Sequence, residues 1–362
     1  MKNKAILGIV LFVLIFASLW ALNDRAKRPR QEQTVRIGAV LSLTGDASVD
    51  GQNIKRGLEL ARADLAKKGI KVDINYQDDK TNPKESVTSV QYLINSYKPE
   101  AMIGPIWSFL EDSAASTISQ NKIVTYSPAG TSEIVNEKSP FIFHGTIKNA
   151  EKAEPVAKWL KANNKKKVAI IVSQDAWGNS HEQAYRLAAQ MAGAKVMMTE
   201  KTPFGLEDSS LSTILAKVKD SGADALLWTG YNDGALNIIR KTKELGINIP
   251  IIGSEGFSWV VASGKIKPSN DQEIYALKTK INPEFTKKFR AQFGEEPGTY
   301  ADTAYDGLMI LIQSIENTKG KQISLQSYLK NDLSYEGFAG HYLFDKNNDR
   351  EKGSEWVMEK VN

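Results

Sequence analysis

Small and hydroxyl side chains follow two neighbouring predicted strands of this 362-residue chain. The segment Ile123 to Thr131 is typical of a short buried strand that ends in a polar loop, and Met102 to Ser108 has the same form. In an open α/β sheet, ligands bind beyond the carboxyl ends of the strands. Ser108, Ala129 and Thr131 therefore predict a small polar cradle with free backbone N–H groups, suited to a carboxylate or another small anion.

Aromatic and acidic residues occupy the corresponding places in the second half of the chain. Trp177, Tyr231 and Glu255 each follow a predicted buried strand. A cleft between the two sets would hold an anion on one wall and a cation or an apolar tail on the other. This arrangement of charge matches the zwitterion of an α-amino acid.

Each of these residues also has an ordinary structural interpretation. Ser108 and Thr131 are residue types that cap helices, Trp177 and Tyr231 suit a core or its rim, and Glu255 suits a solvated loop. Their repeated placement at strand ends favours the functional interpretation, because independent loops would rarely converge in this way.

The chain lacks the motifs of the common enzymes. It has no cysteine, no phosphate-binding loop, no dinucleotide-binding glycine motif after the first strand and no nucleophile elbow. His144, His181 and His341 are isolated in the sequence, so we expect structural or surface roles for them. The sequence thus predicts no enzyme, no metal site and no cofactor.

The elements that must position the candidate residues alternate between strand and helix from Val35 onward. This alternation predicts parallel sheets covered by helices. The same order restarts near residue 150, which indicates two α/β lobes, and the last ninety or so residues return to complete both lobes. We assign 34–147 and 280–338 to the first lobe and 148–279 and 339–362 to the second.

Residues 1–33 form a separate segment. They hold six of the 47 basic and two of the 42 acidic residues, so the rest of the chain is close to neutral and is not expected to bind nucleic acid. Residues 5–22 carry no charge and follow Lys2 and Lys4, which is typical of a secretory signal, although the length also approaches a membrane anchor. A buried core helix is a third, less favoured interpretation.

From about residue 34 to 360 the sequence resembles the type I periplasmic binding proteins, and more closely the branched-chain amino-acid (Leu/Ile/Val) binding proteins of ABC importers. The resemblance rests on the order of many short motifs. These are Ile37-Gly38, Leu43-Thr44-Gly45, Gly51, Gly57, Asp78-Asp79, Asn82-Pro83, Ile103-Gly104-Pro105, Ser127 to Thr131, Trp177-Gly178, Gly230-Tyr231, Gly253 to Gly256, Tyr305-Asp306, Gly337 to Gly340 and Phe344-Asp345.

The resemblance implies two Rossmann-like lobes joined by three crossovers, which close on a ligand. It implies that Ser108 and Thr131 bind the ligand carboxylate with help from the backbone of Ala129. Glu255 would pair with the ammonium group and Tyr231 would lie near it.

The resemblance further implies that Trp177 closes over the ligand side chain. Two positions depart from the family pattern: Asp50 stands where an aromatic residue is frequent, and Trp107 where a small residue is frequent. Both departures favour a smaller or more polar ligand than leucine.

The function implied is that of an exported solute-binding protein that delivers an amino acid, or a similar small polar solute, to ABC permease subunits. The alternative is a ligand sensor of the same fold, tethered to the membrane through residues 5–22. An enzyme on this fold is the least favoured function, because no nucleophile–base pair is apparent.

Overall fold

The computed structural model describes residues 34–203, 208–257, 272–351 and 356–361. The predicted signal or anchor segment, residues 5–22, lies outside the described residues. Within these ranges, no helix combines the length and the apolar character needed to cross a membrane.

Strands and helices alternate along most of the chain. The strands are β1 (Val35–Leu41), β2 (Val72–Asp78), β3 (Ala101–Ile103), β4 (Thr125–Ser127), β5 (Ile142–Ile147), β6 (Lys167–Ser173), β7 (Lys195–Thr202), β8 (Ala225–Thr229), β9 (Ile251–Gly253), β10 (Ile274–Thr279), β11 (Tyr335–Gly337), β12 (Gly340–Tyr342), β13 (Asp349–Arg350) and β14 (Trp356–Lys360). The α-helices are α1 (Ser48–Lys67), α2 (Pro83–Tyr92), α3 (Ser108–Asn121), α4 (Glu133–Asn136), α5 (Ala153–Ala162), α6 (Ala176–Ala192), α7 (Asp208–Asp220), α8 (Asn232–Glu244), α9 (Pro283–Phe293), α10 (Ala301–Thr318) and α11 (Leu325–Asn331). A π-helical turn (Leu93–Tyr97) extends α2, and a 3₁₀ turn (Asn149–Lys152) precedes α5.

Two six-stranded sheets of the same topology form the two lobes. The first sheet has the order β13-β5-β4-β3-β1-β2 and the second has the order β14-β10-β9-β8-β6-β7. The strand pairs are parallel, except that β14 runs antiparallel to β10. The fold class predicted from the sequence is therefore confirmed.

Each sheet is buried on both faces, as expected for parallel strands covered by helices. In β1, the residues from Ile37 to Leu41 are all buried, and they pack against α1 and α10 on one face and against α2 on the other. The start of α2 follows the predicted Asn-Pro signal: the side chain of Asn82 accepts hydrogen bonds from the N–H groups of Lys84 and Glu85.

The chain passes between the lobes after β5, after β10 and between β13 and β14. The prediction that 339–362 belongs to the second lobe is wrong for its first part. β13 pairs with β5 of the first sheet, and Tyr342 and Phe344 lie in the core of the first lobe. The buried guanidinium of Arg350 contributes to this placement, because it donates to the carbonyl oxygen of Gly145 in β5.

Candidate functional site

A cavity of about 40 Å³ lies between the two lobes. Seven of the eight predicted site residues line it, and they come from both lobes. The lining consists of Asp50, Trp107, Ser108, Ala129, Trp177, Gly230, Tyr231, Glu255, Gly256, Thr299 and Tyr300.

The strand order explains why these residues meet. In the first sheet, β2 and β3 lie on opposite sides of β1, and in the second sheet, β7 and β8 lie on opposite sides of β6. The strand order therefore reverses at β1 and at β6. In the first lobe, Trp107 and Ser108 follow β3, on one side of the reversal. In the second lobe, Trp177 follows β6 and Tyr231 follows β8, on the two sides of the reversal. The carboxyl ends of the two sheets thus face the same cleft.

Three aromatic rings form a continuous wall across the cleft. The ring centroids of Trp107 and Tyr231 lie 4.8 Å apart, and those of Tyr231 and Trp177 lie 4.9 Å apart. The hydroxyl of Tyr231 donates to Oδ2 of Asp175 at 2.7 Å, which orients its ring. Because Trp107 belongs to the first lobe and Tyr231 to the second, the lobes are in contact across the cleft in this structure.

The two residues that depart from the family pattern contact each other. Nε1 of Trp107 donates a hydrogen bond to Oδ2 of Asp50 at 3.0 Å. Burial raises the pKa of Asp50 to about 6; the Trp107 hydrogen bond opposes this rise and the charge of Glu255 adds to it. Asp50 is therefore mostly ionised at neutral pH and adds a negative charge to the first-lobe wall.

Glu255 lies in a buried cluster of polar side chains, and its own side chain is only 9% exposed. Nζ of Lys152 donates to Oε1 of Glu255 at 2.5 Å, and the Lys152 side chain is fully buried. Burial alone would raise the pKa of Glu255, but the charge of the Lys152 ammonium group lowers it to about 2. Glu255 is therefore ionised, which differs from the solvated loop charge that was its ordinary interpretation.

The second carboxylate oxygen of Glu255 is open toward a ligand. Oε2 is buried and has no hydrogen-bond partner within the described part of the chain. Nε2 of His181 lies 3.5 Å away, but it accepts a hydrogen bond from Nζ of Lys152, while Nδ1 donates to the carbonyl oxygen of Trp177 at 3.1 Å. The histidine proton therefore sits on Nδ1, and Nε2 has none to donate to Glu255.

The opposite wall carries the predicted cradle. Ser108 is the first residue of α3, where backbone N–H groups have no acceptor within the helix, and Ala129 lies in the loop after β4. Thr131 is the one predicted site residue that does not line the cavity. It is buried, and its carbonyl oxygen accepts the N–H of Asn149 where the chain first crosses between the lobes.

A buried network of ionised side chains supports the loop that contains Ala129. The Ser127 hydroxyl donates to Glu111 and accepts the N–H of Gly130 at 2.9 Å. The His144 ring lies 3.2 Å from Glu111 and 3.0 Å from Asp349. Burial opposes the charge on His144, but the two carboxylates raise its pKa to about 10, so the ring is an imidazolium at neutral pH.

The family model of the periplasmic binding proteins matches residues 34–361. The chain belongs to this family. This membership confirms the family predicted from the sequence, and the family consists of solute-binding proteins rather than enzymes. The role of this periplasmic binding protein is thus to bind a solute, and the family's location indicates that it is exported.

Relatives match this periplasmic binding protein over nearly their full length. It is 24% identical to the Leu/Ile/Val-binding protein of Escherichia coli over 364 residues, which covers 96% of this chain and 94% of the relative. A leucine-binding protein of Thermotoga maritima superimposes with a TM-score of 0.77 at 19% identity, over 91% and 96% of the two chains. A solute-binding protein of Rhodopseudomonas palustris in complex with benzoate has a TM-score of 0.74 at 18% identity, over 91% and 96%.

Sequence reasoning missed several residues at the site. Lys152 donates to Glu255 and to His181, and Thr299 and Tyr300 line the cavity from the segment before α10. One signal could have found Lys152. It precedes the buried Val156 and Leu160 of α5 by four and eight residues, which places a charged side chain on an apolar helix stripe.

Proposed function

We propose that this protein is the solute-binding component of an ABC importer and that it binds an amino acid, or a zwitterion of similar size, in the interlobe cleft. The observation that carries the proposal is the open Oε2 of Glu255, a buried ionised acceptor without a donor among the described residues. Burying such a group is unfavourable unless a ligand donor reaches it. A ligand ammonium group would satisfy it.

The balance of charge supports the same ligand. Asp50 and Glu255 together carry two negative charges at the cavity, and Lys152 carries one positive charge. One positive charge from the ligand therefore brings the net charge of this group to zero. The cradle at Ser108 and Ala129 offers backbone and hydroxyl donors to the ligand carboxylate. Trp107, Trp177 and Tyr231 then surround the ligand side chain.

The packing of the aromatic rings favours a compact ligand. The Trp107 ring lies against the Tyr231 ring at the cavity, so a large side chain would have to displace one of the rings. The names of the E. coli and T. maritima relatives indicate branched-chain amino acids for those proteins. We propose an amino acid with a smaller or more polar side chain here.

A series of matched ligands tests this proposal by thermal shift. Each amino acid is compared with its N-acetyl derivative, which lacks the positive charge, and with the corresponding deaminated acid. We expect only the zwitterion to raise the melting temperature, since a ligand that binds only the folded state stabilises it. A deaminated or aromatic acid, such as the benzoate bound by the R. palustris protein, should have no effect; an equal shift from either acid would refute the ammonium site.

Delivery to a permease is part of the same proposal. We infer that residues 5–22 direct export, and the uncharged length of this segment keeps the membrane-tethered sensor as the second candidate. Fractionation of cells that produce the full chain separates the two. A released, shortened protein supports the importer component, whereas a full-length protein in the membrane fraction that does not restore uptake of the identified ligand supports the sensor.

A further inference from the structure

Lys152 is a buried lysine whose three N–H groups all have acceptors. Nζ lies 2.7 Å from Oδ1 of Asn149, 2.5 Å from Oε1 of Glu255 and 3.0 Å from Nε2 of His181. The ammonium also lies 4.2 Å from the centroid of the Trp356 ring. Because all three protons are donated within the protein, Lys152 has none left for a ligand.

The same contacts fix the charge of the second-lobe wall. His181 accepts from Lys152, and burial followed by the Lys152 charge lowers the pKa of His181, so the imidazole is neutral. The pair of Lys152 and Glu255 has no net charge, which leaves Asp50 as the uncompensated group at the cavity. Glu133 also acts on Lys152, but its carboxylate accepts from Ser180 and from the N–H of Ala150 and does not line the cavity.

We propose that Lys152 is a specificity-determining residue: it neutralises Glu255 so that the cleft accepts a ligand with one positive charge and rejects a ligand that carries a second one. This inference rests on the proposed function. A ligand with an additional side-chain ammonium group would leave an unbalanced charge beside the buried pair of Lys152 and Glu255, which is unfavourable. Without Lys152, two uncompensated carboxylates would face the ligand, and a second positive charge on the ligand would stabilise the complex.

The first experiment uses the ligand-free protein. Carboxyl carbons of glutamate are labelled and titrated by NMR in the wild type, in Lys152→Met and in Lys158→Met, the last a control at an exposed lysine of α5. We expect the pKa of Glu255 to rise by about two pH units or more in Lys152→Met and to stay unchanged in the control. If Lys152→Met does not fold, Lys152→Gln retains polar contacts and serves instead; an unchanged Glu255 titration in the folded variant overturns the proposal.

The second experiment uses two ligands of the same shape. Norvaline has a neutral side chain, and 2,4-diaminobutyrate replaces its terminal methyl group with an ammonium group. Calorimetry at pH 7 should show that the wild type prefers norvaline, and that Lys152→Met shifts the ratio of the two affinities by about tenfold or more toward 2,4-diaminobutyrate. An unchanged ratio overturns the inference.

The results that would refute the proposed function differ from those that would refute the role of Lys152. A wild-type protein that binds no amino acid refutes amino-acid binding, and the carboxyl titration then still decides whether Lys152 neutralises Glu255. Conversely, a wild type that binds norvaline and 2,4-diaminobutyrate equally supports amino-acid binding and refutes the role of Lys152.

Discussion

Replacing Glu255 with glutamine is the substitution that bears most directly on the ligand site. The side chain keeps its shape but loses the charge that Oε2 presents to the cavity. A hydrogen bond to a charged group contributes about 1.5–3 kcal/mol, so the affinity for the amino acid should fall by about 10- to 100-fold. Isothermal calorimetry with the amino acid that gives the largest thermal shift measures this change.

The same substitution also leaves Lys152 without its counter-ion. Breaking a buried ion pair by removing one partner costs about 3–5 kcal/mol of folding free energy, a large part of the 5–15 kcal/mol typical of a domain. Glu255→Gln should therefore melt at a lower temperature than the wild type. The double variant Lys152→Met/Glu255→Gln has neither charge, and we expect it to regain stability without regaining affinity.

This pair of variants separates ligand binding from folding. If the affinity recovers in the double variant together with the stability, Glu255 acts only through the fold and the ammonium assignment is wrong. Glu244→Gln is the control, because Glu244 is an exposed glutamate of α8 that pairs with Arg240 and lies outside the cavity. An unchanged affinity in folded Glu255→Gln would refute the assignment outright.

Three further predictions concern the first lobe. The ligand ammonium group requires an ionised Asp50, whose pKa is about 6 in this structure, so binding should be strong above pH 6 and about tenfold weaker at pH 5. Calorimetry across this range should show a flatter profile for Asp50→Asn. Trp107→Ala enlarges the cavity, so thermal shifts should move toward amino acids with larger side chains; an unchanged ligand ranking would contradict the role of Trp107 in limiting size. Gly130→Ala places a Cβ against Oε1 of Glu111 and 2.7 Å from Cδ2 of His144, so urea unfolding should show a loss of about 1–3 kcal/mol. A variant as stable as the wild type would show that the network around His144 is loosely packed.

The sequence predicted most of the fold because its signals are local. Alternating apolar segments and helix starts such as Asn82-Pro83 act over a few residues, and these elements form where the pattern predicts them. β5 was not predicted, because its sequence contains His144 and Gly145, which are residue types untypical of strands. The path of the chain after residue 339 depends on contacts with distant segments, such as the hydrogen bond from Arg350 to the carbonyl oxygen of Gly145, which no local pattern reports.

Some residues of the candidate site could likewise be predicted from the sequence, and others could not. Residues at strand ends, such as Ser108 and Tyr231, could be predicted because the topology places strand ends together. The partner of Glu255 could not, since Lys152 lies 103 residues earlier in the chain and contacts it only in the folded protein. Thr131 was predicted to bind the ligand from its place after a strand and from the family resemblance, but it does not line the cavity, and its carbonyl group accepts the N–H of Asn149.

The positions of the two acidic groups explain how a ligand would close the cleft. Asp50 belongs to the first lobe and Glu255 to the second, and the charge of Glu255 contributes to the raised pKa of Asp50, so the carboxylates repel each other when the lobes meet. The contact between Trp107 and Tyr231 favours the closed form and the repulsion opposes it. A ligand ammonium group can lie between the carboxylates and remove the repulsion only in the closed form, because Asp50 and Glu255 belong to different lobes. The ligand therefore has a higher affinity for the closed form, and this difference is the only free energy through which binding can shift the equilibrium between open and closed lobes.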